Sequence, residues 1–142
     1  MKKSLLFKYL ATGIFALSAS MSWAAQSAAV CTNTKDNAEL MECLNEQINL
    51  RAAKLRKYLA AARKLEKMAG GTDKELVETQ KIWTKYSDQH CEYVFRREPG
   101  TSRYRYSAEC QIRMLDDRIY EIWVDYLAYY DERNPLLPNP KK

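Results

Sequence analysis

Residues 36–71 read DNAELMECLNEQINLRAAKLRKYLAAARKLEKMAGG, and this stretch decides the fold. Its apolar residues recur at steps of three and four, which is the spacing of one face of an α-helix. Asp36 and Glu39 have capping-box spacing at the start, and Gly70-Gly71 is a strong stop signal at the end. We therefore predict one long helix between these signals. Its inward positions are Leu40, Leu44, Ile48, Ala52, Leu55, Leu59 and Ala62.

Two further segments carry helical periodicity, and none alternates like a β-strand. The second predicted helix starts at Thr72, with Glu75 in capping-box spacing, and ends before Pro99-Gly100. The third starts between Thr101 and Ser107 and continues to Tyr129. Short connections favour antiparallel neighbours. The sequence thus predicts an all-α, up-down-up three-helix bundle.

Both ends of the chain differ in composition from this helical region. Basic residues precede an apolar run, and Ser22-Trp23-Ala24 provides small residues for cleavage after Ala24, so residues 1–24 are interpreted as a signal peptide. An uncleaved membrane anchor is the alternative, but the run is short for a spanning helix. Residues 25–133 then form the helical domain. The proline-rich tail 134–142 is predicted to be disordered or loosely docked.

The composition limits the classes of function. The chain has 142 residues, 46% hydrophobic and 29% charged, which fits a single globular domain. Residues 1–24 contain three of the 23 Lys and Arg residues and none of the 18 acidic ones, so their removal lowers the formal net charge from +5 to +2. We therefore predict no nucleic-acid partner. A single histidine excludes a multi-histidine metal site, and no cofactor or metal is predicted.

Four cysteines lie in the region that follows the predicted cleavage site: Cys31, Cys43, Cys91 and Cys110. An even number in an exported chain indicates two disulfides, whereas zinc and thioredoxin-like sites need CxxC pairs that are missing here. Three connectivities are possible. We predict the nearest-neighbour pairing, Cys31–Cys43 and Cys91–Cys110, because it closes the shortest loops. We also predict a periplasmic or secreted protein with no transmembrane segment after cleavage.

A sequence motif spans the second and third predicted helices. It reads Gln80-x-x-Trp83-x-x-Tyr86-Ser87-Asp88-x-x-Cys91, followed by Gly100, Cys110 and Arg118. This pattern resembles the N-terminal domain of LprI-type lysozyme inhibitors over about residues 31–122. Ser87 departs from the usual arginine and Leu115 from the usual threonine. The resemblance implies a small exported helical protein that inhibits lysozyme, with motif residues Gln80, Trp83, Tyr86, Asp88, Gly100 and Arg118. Trp83, Tyr86 and Arg118 have an alternative interpretation as core and capping residues.

Two further groups of residues are candidate partner-binding surfaces. One is an acidic stripe of Asp117, Glu121, Asp125 and Glu132 on the third helix, which suits a basic partner such as animal lysozyme. Its alternative is a solvated face. The other is an arginine- and tyrosine-rich segment, residues 96–106, predicted to be the loop between the second and third helices. Arg and Tyr often anchor interfaces. Its candidate contacts are Arg96, Arg97, Arg103, Tyr104 and Arg105.

These features predict a binding protein, because no catalytic signature is present in the sequence. The first hypothesis is an exported lysozyme inhibitor that acts by stoichiometric occlusion, with no chemistry of its own. The second is a structural or interaction protein of the cell envelope that uses residues 96–106 to hold another partner. Oligomeric state does not follow from the sequence.

Overall fold

A computed structural model describes residues 31–128 and 135–141. The predicted signal peptide, Tyr129 and Glu132 lie outside the described residues. The described chain forms three α-helices, which we name α1 (Asn37–Met68), α2 (Lys74–Arg97) and α3 (Ser102–Ile122). A π-helical turn, Trp123–Leu127, continues directly from α3. The predicted all-α three-helix fold is confirmed.

The start of α1 agrees with the capping signals in the sequence. The Asp36 carboxylate accepts hydrogen bonds from the backbone N–H groups of Ala38 and Glu39, both at 2.9 Å. Such a side-chain acceptor satisfies donors that have no partner within the helix. Glu39 accepts from the backbone N–H of Lys35 at 2.8 Å. This bond lies one residue earlier than in a standard capping box.

The start of α2 differs from the prediction by two residues. The Thr72 hydroxyl accepts from the backbone N–H of Lys74 at 3.2 Å, so Thr72 lies before the helix. Asp73 occupies the N-cap position, but its carboxylate binds Arg63 at 2.6 Å and Lys67 at 3.2 Å. These ion pairs join the two ends that flank the α1–α2 connection.

Residue pairs between α2 and α3 show that these helices are antiparallel. Cys91 near the end of α2 is bonded to Cys110 near the start of α3. Gln80, earlier in α2, meets Arg118, later in α3, at 3.1 Å. Gly100 in the connection has φ +63°, a conformation that glycine adopts without strain.

The pairs between α1 and α3 show the same direction for these two helices. Leu44 of α1 shares a core cluster with Ala108 of α3. Further along both helices, Arg51 of α1 donates a hydrogen bond to Asp116 of α3 at 2.8 Å. Most tertiary contacts of α1 and of α2 are made with α3, which is therefore the central element. The predicted up-down-up order agrees with these contacts.

The apolar core is divided into two clusters along the bundle. A smaller cluster lies near the disulfides and contains Leu44, Ala108 and Ile112. The larger cluster lies at the other end, where α1, α2, α3 and the π-helical turn meet. Its buried members are Leu55, Tyr58, Ala62, Leu65, Leu76, Ile119, Ile122 and Leu127. No helix in the described ranges is long and apolar enough to cross a bilayer.

Both predicted disulfides are present. Cys31–Cys43 holds the segment before α1 against that helix, and Cys91–Cys110 joins α2 to α3. Cys91 and Cys110 are buried, with 2% and 1% exposure. The nearest-neighbour pairing is confirmed.

Residues 135–141, part of the tail predicted to be disordered or loosely docked, lie against the bundle, and we name this segment the strap. The backbone carbonyl of Pro138 accepts a hydrogen bond from Tyr58 at 2.7 Å, and that of Leu137 accepts from the Trp123 indole at 3.0 Å. Leu137 also packs against the larger core cluster. Prolines exclude helix in this segment, but a strap needs only carbonyl acceptors and one apolar side chain.

Candidate functional site

Four side chains from α2 and α3 meet at the centre of the sequence motif. The Arg118 Nε donates to Gln80 Oε1 at 3.1 Å, and its Nη1 lies 3.0 Å from Glu121 Oε2. Its guanidinium also lies 5.8 Å from the centre of the Trp83 ring. The Arg118 side chain is only 14% exposed, whereas that of Glu121 is 53% exposed. Arg118 therefore connects the motif to an exposed acid of the predicted acidic stripe.

Trp83 has a structural role in this group, because it packs against the larger core cluster. Its contact with Arg118 combines a half-buried aromatic face with a cation, an attraction that strengthens when water is excluded. Trp83 thus lies beside the core, whereas the hydrogen bonds of Arg118 go to side chains and not to the end of a helix. The group presents Gln80 and Glu121 towards its outer side.

The remaining motif residues do not join this group. Tyr86 is 56% exposed and stacks on His90 with ring centres 5.8 Å apart. Asp88 is exposed and contributes to a shallow surface depression on α2 together with Gln80. Gly100 lies at the α2–α3 connection. The structure thus divides the motif into an Arg118-centred group and separate positions on the surface.

The arginine- and tyrosine-rich segment is not an extended loop, and that prediction is wrong. Arg96 and Arg97 belong to the last turn of α2, and α3 begins at Ser102, so only residues 98–101 connect the helices. Tyr104 and Arg105 lie in the first turns of α3. The disulfide Cys91–Cys110 fixes these two helix ends together.

The arginines of this segment are bound mainly to oxygen atoms of the chain itself. Arg97 lies 2.9 Å from Glu98, Arg105 lies 2.7 Å from Glu109, and Arg103 donates to the Gly100 carbonyl at 2.8 Å. Hydrogen bonds to Glu98 and Glu109 raise the pKa of Arg97 and of Arg105, respectively. Carboxylates thus offset the charges of Arg97 and Arg105, whereas Arg103 bonds to a neutral carbonyl and keeps its positive charge. Arg96 is paired more loosely, 4.0 Å from Glu92.

An aromatic group at these helix ends was not predicted from the sequence. Phe95 meets Tyr104 edge-to-face with ring centres 5.2 Å apart, and the Arg103 guanidinium lies 5.4 Å from the Phe95 ring. Tyr104 remains 54% exposed, and Tyr93 and Tyr106 are also exposed. The signal in the sequence was the alternation of aromatic and basic residues from Tyr93 onwards. The candidate surface therefore consists more of tyrosine than of free arginine.

The acidic stripe lies along the outer side of α3 and the π-helical turn. Asp117, Glu121 and Asp125 are all exposed. Glu121 pairs with Arg118, but within the described ranges Asp117 and Asp125 form no ion pair. The ion pair with basic α1 is made instead by Asp116, one residue outside the stripe, with Arg51. The stripe consequently keeps free negative charge.

A family model described as "Lysozyme inhibitor LprI" matches residues 27–122. The chain belongs to the LprI lysozyme inhibitor family. Comparison with curated proteins and with solved structures finds no match.

The matched LprI region contains both disulfides, all three helices and the Arg118-centred group, and it ends with the last residue of α3. The π-helical turn and the strap lie beyond it. Membership of a lysozyme inhibitor family and the presence of two disulfides are both consistent with an exported protein. In the part of the chain that the structure describes, no group of three or more His, Cys, Asp or Glu side chains could hold a metal ion.

Proposed function

We propose that this LprI-family protein inhibits a lysozyme by binding it stoichiometrically and blocking access of the cell wall to the cleft. The observation that carries the proposal is the family match over residues 27–122. Inhibition by occlusion requires a rigid surface and no chemistry of the inhibitor. Two disulfides and the central helix α3 supply such rigidity, and a preorganised surface loses less conformational entropy on binding.

Within this proposal, the acidic stripe carries the contact with lysozyme. Asp117 and Asp125 are exposed acids without an ion pair among the described residues, and Glu121 is 53% exposed beside Arg118. Animal lysozymes are strongly basic, so these carboxylates suit their surface. The arginines of residues 96–106 suit the lysozyme surface less, because a basic partner would repel them. Arg97, Arg103 and Arg105 also already donate hydrogen bonds to oxygen atoms of this chain.

The test is an inhibition titration. The oxidised protein from Ala25 onwards is titrated against a c-type lysozyme that digests cell walls. We expect saturable loss of activity with an end point near one inhibitor per enzyme. Full lysozyme activity at a large excess of folded protein would contradict the proposal. Incubation of the wall substrate with the protein alone, without lysozyme, controls for an effect on the substrate.

Charge reversal tests the assignment of the contact surface. Asp117→Lys with Asp125→Lys should weaken inhibition by about tenfold or more and reduce its dependence on salt, because opposed charges govern association. A matched control is Glu42→Lys with Glu46→Lys, which changes net charge equally on exposed positions of α1. Equal weakening by both pairs would show that net charge, and not the stripe, determines inhibition.

The second candidate function is an interaction protein of the cell envelope that binds through the α2–α3 helix ends. The observation that favours it is the 54% exposed Tyr104, which meets Phe95 edge-to-face across the two helix ends. Tyrosine is a frequent anchor of interfaces. Under this alternative, Arg97→Glu with Arg103→Glu abolishes capture of the partner, while the stripe variant behaves as the wild type.

A further inference from the structure

The strap, residues 135–141, occupies a groove that lies beyond the family-matched region. Three side chains donate hydrogen bonds to three strap carbonyls in sequence order. Trp123 Nε1 lies 3.0 Å from the Leu137 oxygen, Tyr58 Oη 2.7 Å from that of Pro138, and Lys54 Nζ 3.4 Å from that of Pro140. Because proline has no N–H, a proline-rich segment is recognised through its carbonyl groups and ring surfaces.

The groove distinguishes between the two leucines of the strap. Leu137 packs against the larger core cluster, whereas the adjacent Leu136 remains 45% exposed. One side chain is thus bound in an apolar site while its neighbour is directed towards solvent. This alternation is typical of an extended peptide bound in a side-chain pocket.

The end of the strap is held by an aromatic surface. The Lys141 ammonium lies 3.6 Å from the centre of the Tyr120 ring, and Tyr120 is stacked on Trp123 with ring centres 6.2 Å apart. Trp123 is therefore both a hydrogen-bond donor and part of an aromatic wall. The π-helical turn begins at this residue. Such turns are frequent at functional sites.

Tyr58 forms the floor of the groove. Tyr58 is only 3% exposed, and burial raises the pKa of its hydroxyl. The hydroxyl stays protonated and donates to Pro138, a residue 80 positions away in the chain. A buried donor directed at a main-chain carbonyl gives affinity for an extended peptide without reading its side chains.

We propose that Lys54, Tyr58, Tyr120 and Trp123 form a binding groove for short proline-rich peptides with one half-buried leucine, and that the strap is its intramolecular ligand. The ligand class is the sequence type Pro-Leu-Leu-Pro-Asn-Pro. A peptide from another molecule must compete with the strap for the groove. The strap has the advantage, because its covalent attachment gives it a high effective concentration at the groove. This inference is independent of lysozyme inhibition, because none of its residues belongs to the acidic stripe.

The experiment opens the groove in the full chain. Leu137→Asp places a charge in the apolar site and releases the strap, and Leu136→Asp is the matched control at the exposed neighbour. A fluorescent peptide with the sequence of residues 135–142 is then titrated and its anisotropy is measured. We expect saturable binding to Leu137→Asp with Kd below about 1 mM. The wild type and Leu136→Asp should bind the peptide at least about tenfold more weakly, since their own strap fills the groove.

Peptide variants test the recognition itself. A peptide with alanine in place of Leu137 should bind at least about tenfold more weakly than one with alanine in place of Leu136, because Leu137 packs against the core cluster whereas Leu136 is exposed. Trp123→Phe in the Leu137→Asp chain keeps an aromatic ring, removes the N–H donor and should weaken binding several-fold. Helical content measured by circular dichroism verifies folding. If Leu137→Asp loses helix, Leu137→Ala replaces it, because it weakens the strap without introducing a charge.

The results that overturn the proposal are specific. Absence of binding at about 1 mM peptide to a folded, strap-released chain shows that the groove holds the strap only as part of the fold. Equal weakening by the two leucine variants of the peptide shows nonspecific association. Neither result bears on inhibition of lysozyme, which the titration above measures separately.

Discussion

Replacing the buried cystine by Cys91→Ala with Cys110→Ala should lower the free energy of unfolding by about 4 kcal/mol. The bond joins residues 19 positions apart. In the chain-entropy model, a cross-link over a loop of this length reduces the entropy of the unfolded chain by the equivalent of about 3 kcal/mol. Because Cys91 and Cys110 are 2% and 1% exposed, removal of their sulfur atoms also leaves a small cavity that costs about 1 kcal/mol.

The second cystine provides the matched control. Cys31 and Cys43 are 12 positions apart, for which the same model gives about 3 kcal/mol. Neither Cys31 nor Cys43 is fully buried, so the cavity contribution is small. We therefore expect Cys31→Ala with Cys43→Ala to be destabilising, but less so than the buried pair.

The assay is urea and thermal unfolding of the oxidised proteins, followed by circular dichroism with and without reductant. For a domain of this size, a loss of about 4 kcal/mol corresponds to a fall in Tm of roughly 15 °C or more. Reductant should lower the Tm of the wild type and leave a variant that lacks both cystines unchanged. An unfolding free energy within about 1 kcal/mol of the wild type for the Cys91 and Cys110 variant would refute the reasoning.

Four further substitutions test other contacts. Asp73→Asn should destabilise the protein at neutral pH, because the Arg63 hydrogen bond lowers the pKa of the Asp73 carboxyl. The stabilisation by this carboxylate is present above the ordinary pKa near 4 and is lost as the pH falls through the lowered value. In unfolding curves from pH 7 to pH 2, the stabilities of the wild type and the variant should therefore converge at low pH. Tyr58→Phe removes the hydrogen bond to Pro138 and should cost about 1 kcal/mol in urea unfolding, with no loss if that bond is unimportant. Arg118→Leu should cost about 1–2 kcal/mol, and Gln80→Leu in the same chain should add little, as a double-mutant cycle would measure.

Much of the fold was predictable because local signals and packing agree. Asp36 caps α1 as its side chain predicts, and the helix ends before Gly70, whose φ of +81° requires a residue without a Cβ. Of the three possible cysteine connectivities, the one that closes the shortest loops was chosen and is confirmed. The start of α2 was not predicted correctly, because the Asp73 carboxylate pairs with Arg63 and Lys67 of α1. Ion pairs between helices cannot be recognised from the sequence around Asp73.

The core of α1 was predicted only in part. The apolar series chosen from the sequence contains the buried Leu44, Leu55 and Ala62, but it passes through the half-buried Leu59 and misses the buried Tyr58 and Leu65. Tyr58 is tolerated there because its hydroxyl finds an acceptor in Pro138. That partner lies in a segment whose prolines indicate disorder when the segment is considered alone.

The candidate site shows a similar division. The structure brings Gln80, Trp83 and Arg118 of the motif together, but the spacing in the sequence could not show that Arg118 also binds Glu121 of the acidic stripe. Residues 96–106 were interpreted as a loop because Pro99-Gly100 interrupts the pattern. These two residues lie in the connection after α2 ends, but they do not keep α3 from starting at Ser102.

Both cystines lie at one end of the bundle, beside the smaller core cluster, and the larger cluster at the other end has no covalent link among the described residues. Heat or denaturant should therefore separate the helices first around the α1–α2 connection and the strap, while the cross-linked end stays assembled. Amide hydrogen exchange should show this as protection that decreases from the cystines towards Gly70. A partially opened molecule would still present the Phe95 and Tyr104 surface in its native form.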